Sequence, residues 1–445
     1  MYRLSDKEST HVIVKWSQPL AWLTLSSKSE NEVTEDLVKR AYAAVSCRNP
    51  LLRAAYKPEV EKFSLVIRDI HEIVQDEADG KLPAHLTKEF HTRDEAWAEY
   101  ERRTETEFWE SDFMWEVTVC ALRSEAPAGP KYAVIAPFTH GAVDGAAVMQ
   151  ALSEFLVVLN AGLTGNSVSL PPHNLLGESL PVPKPFLERY PLFKFDDPAS
   201  DDEKEELFAR VNEKIRSRER RVRNSIVDKT FTEEATQRFF GKCKKNGVSV
   251  TAGLFAIAAI SASAKKSFNA AMPLSYRSKD NWGDFAVSFT DAMFGLDITK
   301  IWEENEKDGE DALWAALAKE FHREIRRKLG SEEEKYSGMA ISYLRESLDG
   351  TTESGPSMCS GPNNDEFFIC LSNVGIVDEY FAEKEGDSLS VKEVMAFCSN
   401  SIYLDLVFWC YTFRGKLRIG LLNATFSPRR KVFDEFAAKI ISFIE

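Results

Sequence analysis

One short stretch carries residue types at a spacing that can do chemistry. In Pro137-Phe138-Thr139-His140-Gly141-Ala142-Val143-Asp144-Gly145 a histidine stands four residues before an aspartate, and a glycine follows. A neutral imidazole takes up a proton near physiological pH, so His140 is a candidate general base. Asp144 invites a reading as its partner in a His–Asp couple. Gly145 lets the backbone turn. Hydroxyl and amide side chains that could donate to a developing oxyanion occur at Ser372, Asn373, Thr290 and Ser288. A lone histidine is more often a satisfied structural residue, so the case for His140 depends on what positions it.

The stretch lies between an apolar run, Tyr132 to Phe138, and an apolar-periodic segment, Ala146 to Leu159. This spacing predicts strand, tight loop and helix, which would hold the histidine at the end of a rigid element. Upstream, Glu32 to Val45 predicts an amphipathic helix capped by Asn31 or Ser29. Pro50 in Arg48-Asn49-Pro50-Leu51-Leu52-Arg53 stops that helix. Arg93 to Phe108 predicts another, with Thr92 as its cap. Trp115 to Leu122 alternates as a strand. Prolines 171, 172, 181, 183, 185, 191 and 198 then crowd a region without periodicity, read as an extended connection. An acidic run, 201–206, and a basic run around Arg216 to Arg223 read as solvated faces or helices.

In the second half, Ile226 to Phe231 predicts a strand and Thr232 or Glu233 starts a helix to Lys245. After Gly247-Val248-Ser249-Val250-Thr251, the segment Ala252 to Ala264 is apolar almost all round and predicts a buried helix. Ala270 to Arg277, Phe285 to Phe294 and Phe367 to Leu371 read as strands. Asp311 to Leu329 is a helix stopped by Gly330. Ile402 to Thr412 and Leu417 to Asn423 form a hairpin across Arg414-Gly415. A helix from Val432 to Phe443 follows. The chain is α/β throughout.

Composition narrows the function classes. The 445 residues exceed one ordinary core, so two domains are expected. A net charge of −14 argues against nucleic acid and against docking on anionic lipid. Seven scattered cysteines without a CxxC spacing read as buried reduced thiols, as expected of a cytoplasmic protein. The first residues carry acids and no apolar signal core. The apolar stretch from Gly253 to Ala264 is too short to span a bilayer, so no transmembrane segment is expected.

With these residues in place, the chain resembles the superfamily of CoA-dependent acyltransferases. That superfamily includes chloramphenicol acetyltransferase, the condensation domains of nonribosomal peptide synthetases, plant BAHD acyltransferases and alcohol acetyltransferases. Its HxxxDG signature matches His140 to Gly145. Supporting segments follow in family order across nearly the whole chain. Arg48 to Arg53 resembles the RHPxLR stretch, and Phe113-Met114-Trp115-Glu116-Val117 the segment before the strand leading to the motif. Gly247 to Thr251 resembles the helix start of the second domain. Pro273-Leu274-Ser275-Tyr276-Arg277 with Gly283 resembles the PVxxR…G strand, and Leu371-Ser372-Asn373-Val374-Gly375 the SNxG segment of alcohol acetyltransferases. Two departures matter. Thr139 stands where condensation domains carry a second histidine, and no DFGWG motif of the BAHD type is present.

The resemblance implies two similar chloramphenicol acetyltransferase-like mixed-sheet halves with an active-site tunnel at their interface. The halves are expected at residues 1–185 and 224–445, joined by a crossover linker at 186–223. It implies His140 as the catalytic base and a structural Asp144 paired with Arg277. It also implies acyl-CoA, with acetyl-CoA foremost, as co-substrate, with no metal. The acceptor would be a small-molecule alcohol or amine, turned over by a monomer in a ternary complex. The alternatives are a condensation-type enzyme fed by a carrier-protein thioester and an inactive binding homologue. Trp109, Trp115, Trp282, Trp302 and Trp409 are available to line an apolar acceptor pocket, although large aromatics are more often core.

Overall fold

A computed structural model describes residues 2–3, 18–57, 64–87, 92, 95, 98, 113–122, 131–166, 176–184, 194–195, 200–217, 225–275, 289–330, 337–338, 366–399, 406–423 and 430–445. The chain forms two compact units. The first comprises Met1–Pro191, Arg277–Ser288 and Val377–Ser399; the second comprises Leu192–Tyr276, Phe289–Ile376 and Asn400–Glu445.

The strands of the two main sheets, in chain order, are Gln18–Ser27 (β1), Ala84–Thr87 (β2), Val117–Ala121 (β3), Tyr132–Pro137 (β4), Ser225–Thr230 (β5), Ser267–Ser275 (β6), Phe289–Asp297 (β7), Glu366–Ile376 (β8), Leu389–Ser399 (β9), Leu406–Phe413 (β10) and Lys416–Asn423 (β11). The helices are Glu35–Arg48 (α1), Ile70–Ala78 (α2), Gly145–Leu163 (α3), Asp201–Ser217 (α4), Glu233–Lys245 (α5), Val250–Ser261 (α6), Thr299–Asn305 (α7), Glu310–Gly330 (α8) and Arg430–Ile444 (α9).

In the first unit a mixed sheet runs in the order β9-β1-β4-β3-β2. Only β2 and β3 are parallel. All six residues of β4 are buried, as expected of an inner strand covered on both faces. Helix α3 packs on α1 and touches β1 and β9. By length and composition α3 could cross a membrane. Eleven of its 19 residues are buried within the unit, so core packing accounts for its apolarity.

Pairing of distant segments decides membership here. β9 lies antiparallel to β1, from Leu389 opposite Ser27 to Ser399 opposite Gln18, with a bulge between Val391 and Glu393. The backbone N–H of Leu389 also donates to Asn160 Oδ1 of α3 at 2.7 Å. A segment late in the chain therefore completes the sheet that carries the early motif. The units are interleaved in sequence.

The second unit has a six-stranded mixed sheet in the order β7-β6-β8-β10-β11-β5. The apolar α6 is buried among α8, α9, α5 and β8, as its all-round hydrophobicity requires. Thr232 caps α5 and Ser249 caps α6, each accepting an N–H at 3.2 Å. β10 and β11 form the expected hairpin. Its turn residues Arg414 and Gly415 have φ of 51° and 71°, the primed-turn geometry that matches strand twist.

Some boundaries differ from those read locally. Helix α1 begins at Glu35 and is capped by Thr34, whose Oγ1 accepts the Leu37 N–H at 3.2 Å. The expected cap Asn31 instead donates its amide to the Leu163 carbonyl at 2.9 Å, satisfying an orphan acceptor at the end of α3. Thr92 and Glu95 exchange reciprocal capping bonds of 3.2 and 3.0 Å. The body of the helix expected after them lies outside the described residues.

Candidate active site

The loop bearing His140 is clamped at both ends. Beyond the end of β4, the Phe138 N–H donates to Pro19 O and the Thr139 N–H to Met114 O, both at 2.8 Å. The Ala142 N–H then donates to Thr139 O at 2.9 Å, closing a turn. At the far end, Asp144 is the N-cap of α3, and its Oδ1 accepts the Ala147 N–H at 3.0 Å. Within 139–144, every residue but His140 is fully buried; His140 is half-buried. A rigid, packed turn therefore presents one accessible imidazole.

His140 Nδ1 lies 2.8 Å from the carbonyl oxygen of Val143. A carbonyl can only accept, so Nδ1 carries the proton and the neutral ring keeps its lone pair on Nε2. The acceptor facing Nδ1 is thus a backbone carbonyl. The carboxylate of Asp144 caps the helix. It satisfies one of the orphan N–H groups of α3 and sets a negative charge at the positive end of a 19-residue helix dipole. Gly145 is the first residue of that helix, in helical conformation. Arg277, expected to pair with Asp144, and Ser288 lie outside the described residues.

The other candidates belong to the second unit. Asn373 is exposed at the β8 bulge. Its Nδ2 donates to Thr251 Oγ1 at 3.1 Å and its Oδ1 accepts the Gly375 N–H at 3.0 Å. The amide thus ties the bulge to the first turn of α6. Ser372 is half-buried and paired in register with Trp409 of β10. Thr290 sits in β7 opposite Leu274. The structure brings Asn373, Thr251 and Gly375 together in one unit, and His140, Val143 and Asp144 in the other. Thr251 was visible in the sequence as part of the helix-start segment, but nothing local signalled its bond to Asn373.

The Arg48–Arg53 stretch is architectural. Arg48 Nε donates to Glu154 Oε1 at 3.1 Å, and Asn49 Nδ2 to Glu154 Oε2 at 2.8 Å. Together they satisfy a carboxylate buried on α3. Arg53 Nη1 donates to Cys47 O at 2.8 Å and Nε to Arg68 O at 3.0 Å. Burial holds its guanidinium below the ordinary range, and its charge sits where the last carbonyls of α1 emerge. Trp115, Trp302 and Trp409 are core residues, 0%, 7% and 4% exposed. Trp109 and Trp282 lie outside the described residues.

No family model matches the sequence, and no curated protein matches it. Solved structures do match along the whole chain. A trichothecene 15-O-acetyltransferase from Fusarium sporotrichioides superposes with a TM-score of 0.70 at 11% identity, covering 100% of this chain and 94% of that one. Polyketide synthase associated protein 5 from Mycobacterium tuberculosis gives 0.60 at 13% identity, covering 99% and 96%. The first condensation domain of the CDA synthetase gives 0.63 at 12% identity, covering 100% and 95%. The two-sheet architecture of this chain is therefore the chloramphenicol acetyltransferase-like fold that condensation domains share. At these identities the likeness establishes the fold.

Proposed function

We propose that the protein is an acyltransferase that moves an acyl group, acetyl foremost, from acyl-CoA to the hydroxyl of a small-molecule acceptor, with His140 as general base. The observation that carries this reading is the bond from His140 Nδ1 to the Val143 carbonyl, which leaves Nε2 as the basic nitrogen. In the proposed step Nε2 takes the acceptor's hydroxyl proton as that oxygen attacks the thioester carbonyl. The tetrahedral intermediate collapses by breaking the C–S bond, and the CoA thiolate takes the proton back from Nε2. The acyl oxygen bond is made, free CoA thiol leaves, and the imidazole is restored, with no covalent enzyme intermediate. Asp144 and Gly145 keep the loop and helix start in place.

A hydroxyl acceptor is supported by the fold shared with a 15-O-acetyltransferase, and an amine acceptor is retained as a variant of the same chemistry. The test is free-thiol release from acetyl-CoA and longer acyl-CoAs with a panel of alcohols and amines. Acceptor-dependent release supports the reading. Release from acyl-pantetheine on a carrier protein, without release from acyl-CoA, would transfer the role to a condensation-type enzyme. A protein that releases no thiol from any donor is not this enzyme.

A further inference from the structure

Beneath the His140 loop lies a slab of three near-parallel rings. Trp115 stacks on Tyr42 with centroids 4.3 Å apart at 12°, and on Phe138 at 5.4 Å and 11°. Both ends of Trp115 are pinned to one turn of α1. Its Nε1–H donates to Ser46 Oγ and its carbonyl accepts the Tyr42 O–H, each at 3.0 Å. Tyr42 and Ser46 are four apart on the helix and so share a face. On the other side the backbone around Trp115 grips the loop. Met114 O accepts the Thr139 N–H at 2.8 Å, and the Glu116 N–H donates to Pro137 O at 3.1 Å.

Tyr42 is 1% exposed, and Ser46, Trp115 and Phe138 are 0% exposed. No bulk water replaces a hydrogen bond lost there, so a missing hydroxyl leaves the Trp115 carbonyl or indole N–H unsatisfied. Any shift of Trp115 that repairs this would carry the Met114 carbonyl with it, and with it Thr139. The Thr139 carbonyl closes the turn that sets Val143 O against His140 Nδ1.

We infer that Tyr42 and Ser46 are positioning residues for His140, acting through Trp115 to hold the Val143 carbonyl on Nδ1 and the base on Nε2. The kinetic consequence rests on the proposed role of His140; the spectroscopic one does not. The experiment compares wild type, Tyr42→Phe, Ser46→Ala and their double variant in protein labelled with 15N-histidine. Ile73→Ala, in the separate helix α2, serves as a control of matched thermal destabilisation.

In the wild type above the imidazole titration, His140 shows a protonated Nδ1 and an unprotonated Nε2. In the double variant the two nitrogen signals move toward each other as the tautomers mix, and Tyr42→Phe alone moves them part of the way. With an accepted donor and acceptor, kcat falls by on the order of tenfold to a hundredfold while both KM values hold. The Ile73→Ala control keeps the wild-type nitrogen signals and kcat. The inference is overturned if the double variant keeps an unmixed Nδ1–H signal, if the control mixes the tautomers equally, or if the wild type lacks the Nδ1–H form. Should no donor be turned over, the nitrogen signals still decide the matter, separately from the acyl-transfer reading.

Discussion

His140 and Val143 are joined by a 2.8 Å contact between imidazole Nδ1 and backbone carbonyl, three residues apart in one buried turn. This bond assigns the ring its tautomer without a carboxylate. Asp144, four residues from His140 in sequence, caps α3 through its Oδ1.

His140→Ala is expected to lower kcat by about 10²- to 10⁴-fold, the range of a lost general base. The far-UV circular dichroism should not change. The proposed step uses the neutral imidazole, so an acid-side rise of kcat/KM with pH in the wild type that His140→Ala removes would support it. Unchanged turnover in His140→Ala defeats the proposed mechanism.

Asp144→Ala deletes the cap of α3 and should cost about 1 kcal/mol or more, read as a lower midpoint in urea. Asp144→Ser restores an acceptor for the Ala147 N–H and should recover much of that loss. An Asp144→Ala protein as stable as wild type but slower would return the aspartate to the chemistry.

Stability should fall at alkaline pH. Burial pushes the Cys47 thiol up to about 11 and the Cys243 thiol up to about 12, from an ordinary 9.0. Burial likewise raises the Tyr42 hydroxyl well above 10.0. Below pH 9 the thiols are protonated in both folded and unfolded chains, and they contribute no slope. From pH 9 upward the unfolded chain releases these protons while the native one keeps them, so stability declines until pH 11 to 12. Each thiol contributes on the order of a few kcal/mol to this decline. Urea midpoints measured across that range should show it, and Cys47→Ala and Cys243→Ala should each flatten the curve. An unaltered curve in both variants would assign the decline elsewhere.

Gly420→Ala is expected to destabilise the second unit by about 1–3 kcal/mol through overpacking. Gly420 sits opposite Trp409 across β10 and β11, and a Cβ there would collide with the indole ring at Cε2. Adding Trp409→Phe should recover part of the loss. Thermal melts of the single and double variants provide the comparison, and additive losses would show that the ring is not the obstacle.

Much of the fold was legible because local patterns carry burial. The all-round apolarity of Ala252–Ala264 predicted α6, and the runs on either side of Arg414-Gly415 predicted the β10–β11 hairpin. The strand–loop–helix around His140 was legible too, since an inner strand and a long apolar helix flank it. Two local signals misled. Asn31 looked like a helix cap, but its amide serves a carbonyl 132 residues away. Trp115 was available as a pocket wall, whereas it is the fully buried middle of an aromatic stack. In both cases the side chain's chemistry was plain and its partner was not.

By itself the sequence determined the type of several elements, among them α1, α3, α5, α6 and α8, and the turn that presents His140 between a strand and a helix. These follow from hydrophobic period, cap chemistry and glycine placement, all of which act within a few residues. Only the tertiary structure decided that Leu389–Ser399 joins the sheet begun by Gln18–Ser27, that Tyr42 and Ser46 pin Trp115, and that Glu154 receives Arg48 and Asn49. The physical reason is that periodicity records which face of an element is buried, and leaves open what it is buried against. Those partners are chosen by hydrogen-bond and packing complementarity between segments tens to hundreds of residues apart.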